Sequence, residues 1–147
     1  MSFHFTNIQY DHIAEIIYSM VKVSPVKQRE TCIEVKALWD TVANVSCISN
    51  RMVGRLGLKE DNFVEVITAS GLEVFFTYSL SLEISKDIWF PQLEVVEFRY
   101  GNDDHDLIIG MDILTQGDLA ITNFEGKTLL SFRIPSVQRI DFGTFSA

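Results

Sequence analysis

The longest regular pattern in the chain runs through residues 72–84, where Leu72, Val74, Phe76, Tyr78, Leu80, Leu82 and Ile84 alternate with Glu73, Thr77, Ser79, Ser81 and Glu83. A period of two puts one set on each face of a strand, so this segment predicts a long, bent, half-buried β-strand. Upstream, Ile33, Val35 and Ala37 alternate with Glu34 and Lys36, then the pattern turns continuously apolar at Ala37-Leu38-Trp39 and breaks at Asp40. A strand reads this way when it enters a core covered on both faces. Ser49 or Asn50 can cap a short helix carrying Met52, Val53 and Leu56, and Gly57 can end it in a left-handed conformation. Leu93, Val95, Val96, Phe98 and Tyr100 predict another strand, with a bulge where the alternation changes phase at Val95-Val96.

Residues 101–106 form a polar turn, Leu107-Ile108-Ile109 is a short apolar run leading into Gly110, and residues 111–116 predict a brief helix terminated by Gly117. Residues 119–122 and 128–134 pair as a hairpin around Asn123-Phe124-Glu125-Gly126. The N-terminal segment is open between two readings: Ile13, Ile16, Ile17 and Met20 fit a helix, whereas residues 16–23 equally fit an edge strand. Many short strands with one or two short helices point to a mainly β barrel or sandwich. There is no internal repeat and no low-complexity linker.

At 147 residues and 47% hydrophobic content the chain can bury one core and has no composition break between two domains. The expected organisation is an N-terminal extension or strand over residues 1–25 followed by a single domain over residues 26–147. Acidic residues outnumber basic ones by 20 to 12, and the net charge of -8 repels nucleic-acid phosphates and anionic lipid, so neither nucleic acid nor membrane is an expected partner. Without a basic, apolar leader or a run long enough to span a bilayer, a soluble cytoplasmic protein is expected. Cys32 and Cys47 show neither metal spacing nor a disulfide framework, which fits reduced thiols.

Candidate chemistry centres on Asp40-Thr41-Val42-Ala43, where a buried strand gives way to a loop of small side chains that continues as Asn44-Val45-Ser46. A carboxylate at such a junction costs free energy unless it finds hydrogen-bond donors. Taken alone, Asp40 reads as a turn aspartate capping local N–H groups. Asp112 reads as a helix-start carboxylate favoured by the local dipole. Asp103, Asp104, His105 and Asp106 are adjacent charges in a turn that converge poorly on one ion, so they read as solvated and no metal or cofactor is assigned. Cys47 as a nucleophile needs a base, and His4, His12 and His105 offer no recognisable arrangement.

The stretch Ala37-Leu38-Trp39-Asp40-Thr41-Val42-Ala43-Asn44-Val45-Ser46 resembles the signature of retropepsin-like aspartic proteases, an apolar strand followed by Asp-Thr/Ser-Gly-Ala, in all but the glycine. The second hallmark of that family, an apolar pair followed by Gly and a short helix, is matched by Leu107-Ile108-Ile109-Gly110-Met111-Asp112-Ile113-Leu114. The resemblance covers roughly residues 31–135 and looks most like bacterial members. It implies a single-lobed acid-protease barrel and an aspartic endopeptidase acting on peptide or protein substrates. Its catalytic Asp40 would pair with the same residue of a second copy in a homodimer. It further implies that the Thr41 hydroxyl bonds across the dimer interface, that Ile108, Ile109 and Gly110 support the active-site loop of Thr41, Val42 and Ala43, and that Thr68, Ala69, Ser70 and Gly71 form the tip of a substrate-covering flap.

Val42 departs from the motif, since it stands where the family has glycine and adds bulk where chain and ligand come close. Two functions from different classes follow. One is an active peptide hydrolase; the other is a catalytically impaired domain that keeps the fold as a peptide-binding or dimerisation module.

Overall fold

The computed structural model describes residues 2–99, 101 and 104–144. Its strands are β1 (His4–Gln9), β2 (Tyr18–Pro25), β3 (Ile33–Trp39), β4 (Cys47–Ser49), β5 (Asn62–Thr68), β6 (Gly71–Ser85), β7 (Ile88–Phe98), β8 (Leu107–Ile109), β9 (Asp118–Thr122) and β10 (Leu129–Ile134). Two short helices, α1 (Asn50–Leu56) and α2 (Met111–Leu114), complete the regular structure with three single 3₁₀ turns. β2, β3, β8, β4, β7 and β6 are neighbours in that order, and an additional β2–β6 pairing closes them into a six-stranded barrel. β5 lies outside the ring, held only by β6. A separate sheet of order β1-β10-β9 packs its Leu130 and Phe132 into the same core, where Phe132 meets Trp39 edge-on at 5.7 Å. This is a mainly β barrel, one of the two architectures the alternation left open, and it has the single lobe that the resemblance implies.

β6 owes its length to its alternation. Its even positions Tyr78, Leu80, Leu82 and Ile84 are buried, and the strand bonds to β5, β2 and β7 in succession. α1 forms as its termini predict: the Ser49 Oγ accepts from the Met52 N–H, and Gly57 sits at φ 63°, where a Cβ would be strained. The N-terminal ambiguity resolves to a strand. β2 is interior to the barrel, not an edge, and the Tyr10 hydroxyl anchors its start by donating to the Tyr18 carbonyl and accepting from the Tyr18 N–H.

Three local expectations are corrected. β7 runs in regular register through Val95 and Val96; its irregularities lie opposite Leu80–Leu82 and Glu83–Ser85. Val95 faces the core, and Val96 is half-buried on the opposite face of the strand. Tyr100, expected in the same strand, lies outside the described residues, as does Asp103. Gly117 ends the second helical segment by close approach, not by left-handed geometry: a Cβ there would stand 1.8 Å from the Arg133 carbonyl oxygen. Finally, His105 and Asp106 are buried instead of solvated. The imidazole lies between the rings of Tyr18 and Phe98, and the Asp106 carboxylate accepts from the Ser49 hydroxyl at 2.6 Å and from the Arg51 guanidinium. Donors at the start of α1 replace the water this carboxylate loses.

Candidate active site

Asp40 follows directly on β3, and its N–H donates to the Ile109 carbonyl at 3.0 Å, which ties the loop to the end of β8. The chain then turns back on its own carboxylate: Asp40 Oδ1 accepts from the Val42 N–H at 2.8 Å and the Ala43 N–H at 3.3 Å. Oδ2 accepts no hydrogen bond among the described residues, so it is the oxygen available to a water or a second carboxylate. Thr41 is exposed beside it.

The loop is clipped from below. The Ala43 and Asn44 carbonyls accept from the Met111 and Asp112 N–H groups at 2.8 and 3.2 Å. Ser46 is fully buried; its hydroxyl donates to Asp112 Oδ1 at 2.7 Å and accepts from the Gly110 N–H at 3.0 Å, while its own N–H donates to Asp112 Oδ2 at 3.0 Å. Gly110 is required by space. A Cβ there would stand 2.7 Å from the Val45 carbonyl carbon and oxygen and 2.9 Å from the Ala43 oxygen. Ile109 is buried in the core beneath this contact and Ile108 is half-buried, paired with Cys47 across β4 and β8. The motif residues around Asp40 and those around Gly110, some seventy positions apart in sequence, are thus one bonded unit. Ser46 and Asp112 are the members whose bonding the sequence pattern left unassigned; a polar pair at the ends of two apolar motifs was the available signal.

Val42 is 87% exposed and its φ is not positive, so the backbone here does not demand glycine. The valine keeps the N–H donor that holds Asp40 and adds only a branched side chain at the open side of the loop. Cys47 is set aside as a nucleophile: burial, with the nearby Asp112 and Asp40 carboxylates adding to it, pushes its thiol up to about 11, and the Sγ donates to the Val45 carbonyl. Asp104 bonds Lys36 and Asp106 bonds Ser49 and Arg51, so the two carboxylates are spent on different partners.

The residues expected at the flap tip close a hairpin. Thr68 pairs with Gly71 around Ala69 and Ser70; the Thr68 hydroxyl donates to the Gly71 carbonyl at 3.1 Å and accepts from the Ser70 N–H at 3.2 Å. Gly71 at φ 114° adopts a conformation that other residues avoid. The hairpin is rooted close to the Asp40 loop. The Ser46 carbonyl accepts from Val96 of β7, and Val96 pairs with Thr77 of β6, where the hairpin leaves the barrel. A cavity of about 380 Å³ lies elsewhere, over the outer face of the β1-β10-β9 sheet between Phe3, Phe5, Val137 and Ile140, and contains none of these residues.

A barrel with an Asp-Thr turn clipped against an apolar-Gly-helix segment defines the acid-protease class. The model of the family described as "gag-polyprotein putative aspartyl protease" matches residues 32–116, more than half of the chain, and the chain belongs to this retropepsin-like family. A retropepsin-like aspartic protease from Rickettsia conorii, known from a crystal structure, is 18% identical with a TM-score of 0.57, over 90% of this chain and 96% of that one. The retroviral protease-like domain of Ddi1 from Leishmania major is 16% identical with a TM-score of 0.41, over 74% of this chain and 79% of that one. No curated protein gives a significant match. Among the described residues no helix is long and apolar enough to cross a membrane.

Proposed function

We propose that the chain is one half of a homodimeric aspartic endopeptidase whose two Asp40 carboxylates face each other across a two-fold axis. The observation that carries this reading is the state of Asp40: one oxygen is held by two backbone N–H groups while the other is free. Two such carboxylates at contact distance cannot both ionise, so they share one proton. The ionised member takes a proton from water, the resulting hydroxide adds to the scissile carbonyl carbon, and the protonated member donates to the carbonyl oxygen. Proton transfer to the amide nitrogen then lets the C–N bond break and returns the dyad to its starting state. Oxygen, not sulfur or metal, carries the attack, so no cofactor is needed. Thr41, exposed at the same loop, bonds across the axis and holds the two halves together.

The exposed Val42 side chain supports a second reading, in which its bulk keeps substrate from the dyad and the domain only binds peptides or its own copy. Cleavage of a mixed peptide library across acidic to neutral pH separates the two. Wild type is expected to cut and Asp40→Asn to fall to background. Cleavage appearing only in Val42→Gly would establish the impaired module, and undiminished cutting by Asp40→Asn would refute the dyad.

A further inference from the structure

The β5–β6 hairpin carries the core's own apolar stripe out of the barrel and leaves it uncovered. On β6, Tyr78, Leu80 and Leu82 point into the core and are at most 5% exposed. The period of two places Phe76, Val74 and Leu72 on that same face, and their cross-strand partners Phe63, Glu65 and Ile67 share it. Here the exposures rise to 41% for Phe76, 51% for Val74, 54% for Phe63, 64% for Leu72 and 86% for Ile67. The change is positional, not compositional: beyond Thr77 the hairpin extends for roughly 20 Å with strand pairing only between β5 and β6 among the described residues. A contiguous apolar face of this kind marks a binding surface.

Its charge identifies the partner. Between Lys59 and Lys86, which bound it, the chain carries Glu60, Asp61, Glu65, Glu73 and Glu83 and no lysine or arginine. Among the described residues only Glu83 of these, at the far end of β6, has a cationic partner, Arg29. Glu65 lies on the apolar face itself, between Phe63 and Ile67. Glu97 stands at its root, where it accepts from the Tyr78 hydroxyl at 3.3 Å and the Phe76 N–H at 3.4 Å. Burial and the Glu97 and Glu60 charges push the Tyr78 phenol up, which marks the root of the hairpin as electronegative. A cationic ligand is drawn to such a face, and each copy of the chain presents one.

We propose that this face selects extended peptide segments that alternate apolar side chains and carry lysine or arginine at their flanks, with Glu65 and Glu97 as the specificity-determining residues. Apolar side chains of the peptide cover Phe63, Phe76, Val74 and Leu72, and its cations meet the two carboxylates at the middle and the root of the face. As a statement about substrate the proposal rests on the endopeptidase reading; as a statement about binding it stands by itself.

The test therefore uses the full-length Asp40→Asn protein, in which binding is read without cleavage. Two fluorescein-labelled peptides share one alternating valine, leucine and serine core and differ only in lysine or glutamate flanks, and fluorescence anisotropy follows each. The lysine-flanked peptide is expected to bind about tenfold more tightly or better at low salt, with the advantage shrinking as salt screens it. Glu65→Gln, at an exposed site, is expected to reduce that preference about two- to fivefold. Ile67→Ser and Leu72→Ser together are expected to weaken both peptides. Equal affinity for the two peptides, no binding of either, or a preference untouched by Glu65→Gln overturns the proposal. So does sedimentation showing that this face is occupied by a second copy and freed by the serine substitutions. Intact preference in Asp40→Asn, with no peptide cleaved by wild type, upholds the proposal and removes only the endopeptidase reading.

Discussion

The Asp40 loop and the β5–β6 hairpin are neighbours joined through β7, yet they are built on opposite principles. Every turn of the loop is tied down: Asp40 to Ile109, Ala43 to Met111, Asn44 to Asp112, and Ser46 to both Gly110 and Asp112. The hairpin has its own ladder and little else, with large apolar side chains facing outward. Chemistry at a carboxylate tolerates little displacement, because reacting atoms must stay aligned. A surface that receives an extended peptide, as proposed for the hairpin, can complete its side-chain packing on the ligand. On the proposed reading, one region spends its bonds on position, and the other keeps its apolar area for a partner.

The sharpest break of this contrast is Gly110→Ala. The added methyl meets the Val45 and Ala43 backbone, which cannot rotate away, so a loss of about 3 kcal/mol or more is expected in urea unfolding. Stability within about 0.5 kcal/mol of wild type would mean that the clip is far looser than its distances imply. Next in size is Asp112→Ala, which strands the buried Ser46 hydroxyl and N–H at a cost of about 1–3 kcal/mol. The further change Ser46→Ala should not restore stability, because the Ser46 and Gly110 N–H groups would then both lack an acceptor, and full recovery in the double variant would refute hydrogen-bond satisfaction as the source of the cost.

Acid should loosen the frame around both regions. The Ser136 hydroxyl, the Val137 N–H and the Arg133 guanidinium hold the Asp118 carboxyl far below the ordinary carboxylate range. At Asp106 burial pushes upward, but the Arg51 and Ser49 hydrogen bonds and the nearby cations outweigh it and the carboxyl also lies low. Because both folded values are depressed, the stability they contribute is complete above roughly pH 4 and drains as pH falls below it. Thermal unfolding followed against pH should show this acid slope in wild type and a shallower one in Asp118→Asn. Identical slopes would exclude the Asp118 cluster as its source. The smallest effect is expected in the hairpin: Ile67→Ser should change global stability by less than about 0.5 kcal/mol, since that side chain is already exposed. Amide exchange should be faster in β5 than in the Asp40 loop whether or not Ile67 is changed, and equal protection would abolish the distinction between the two regions.

Much of this organisation was legible in the sequence. The strand ending at Asp40, the Ser49-capped helix, the apolar run into Gly110 and the closing β9–β10 hairpin follow from periods and end signals spanning a few residues. The two family motifs rest on residue identity alone. Errors arose where meaning depended on remote neighbours. The Val95-Val96 doublet looked like a bulge because a sequence does not display how far the face opposite the core is buried at Val96. His105 and Asp106 looked solvated because Tyr18, Phe98 and Arg51, which enclose them, come from other parts of the chain.

By itself, then, the sequence determined the strands that end at Asp40, run through residues 72–84 and enter Gly110, the closing hairpin, and that an Asp-Thr loop and a Gly-helix segment exist, while it left β2 open and did not announce β1. These depend on local backbone preference and on the side-chain period. Only the tertiary structure decided that β2 closes onto β6, that Ser46 and Asp112 bind the two motifs into one unit, and that one apolar stripe is core at Tyr78 but bare at Phe76. Leu72 and Leu82 carry the same side chain on the same face of one strand, and their burial differs because hydrophobic free energy depends on what covers a surface, which is a property of the packed chain.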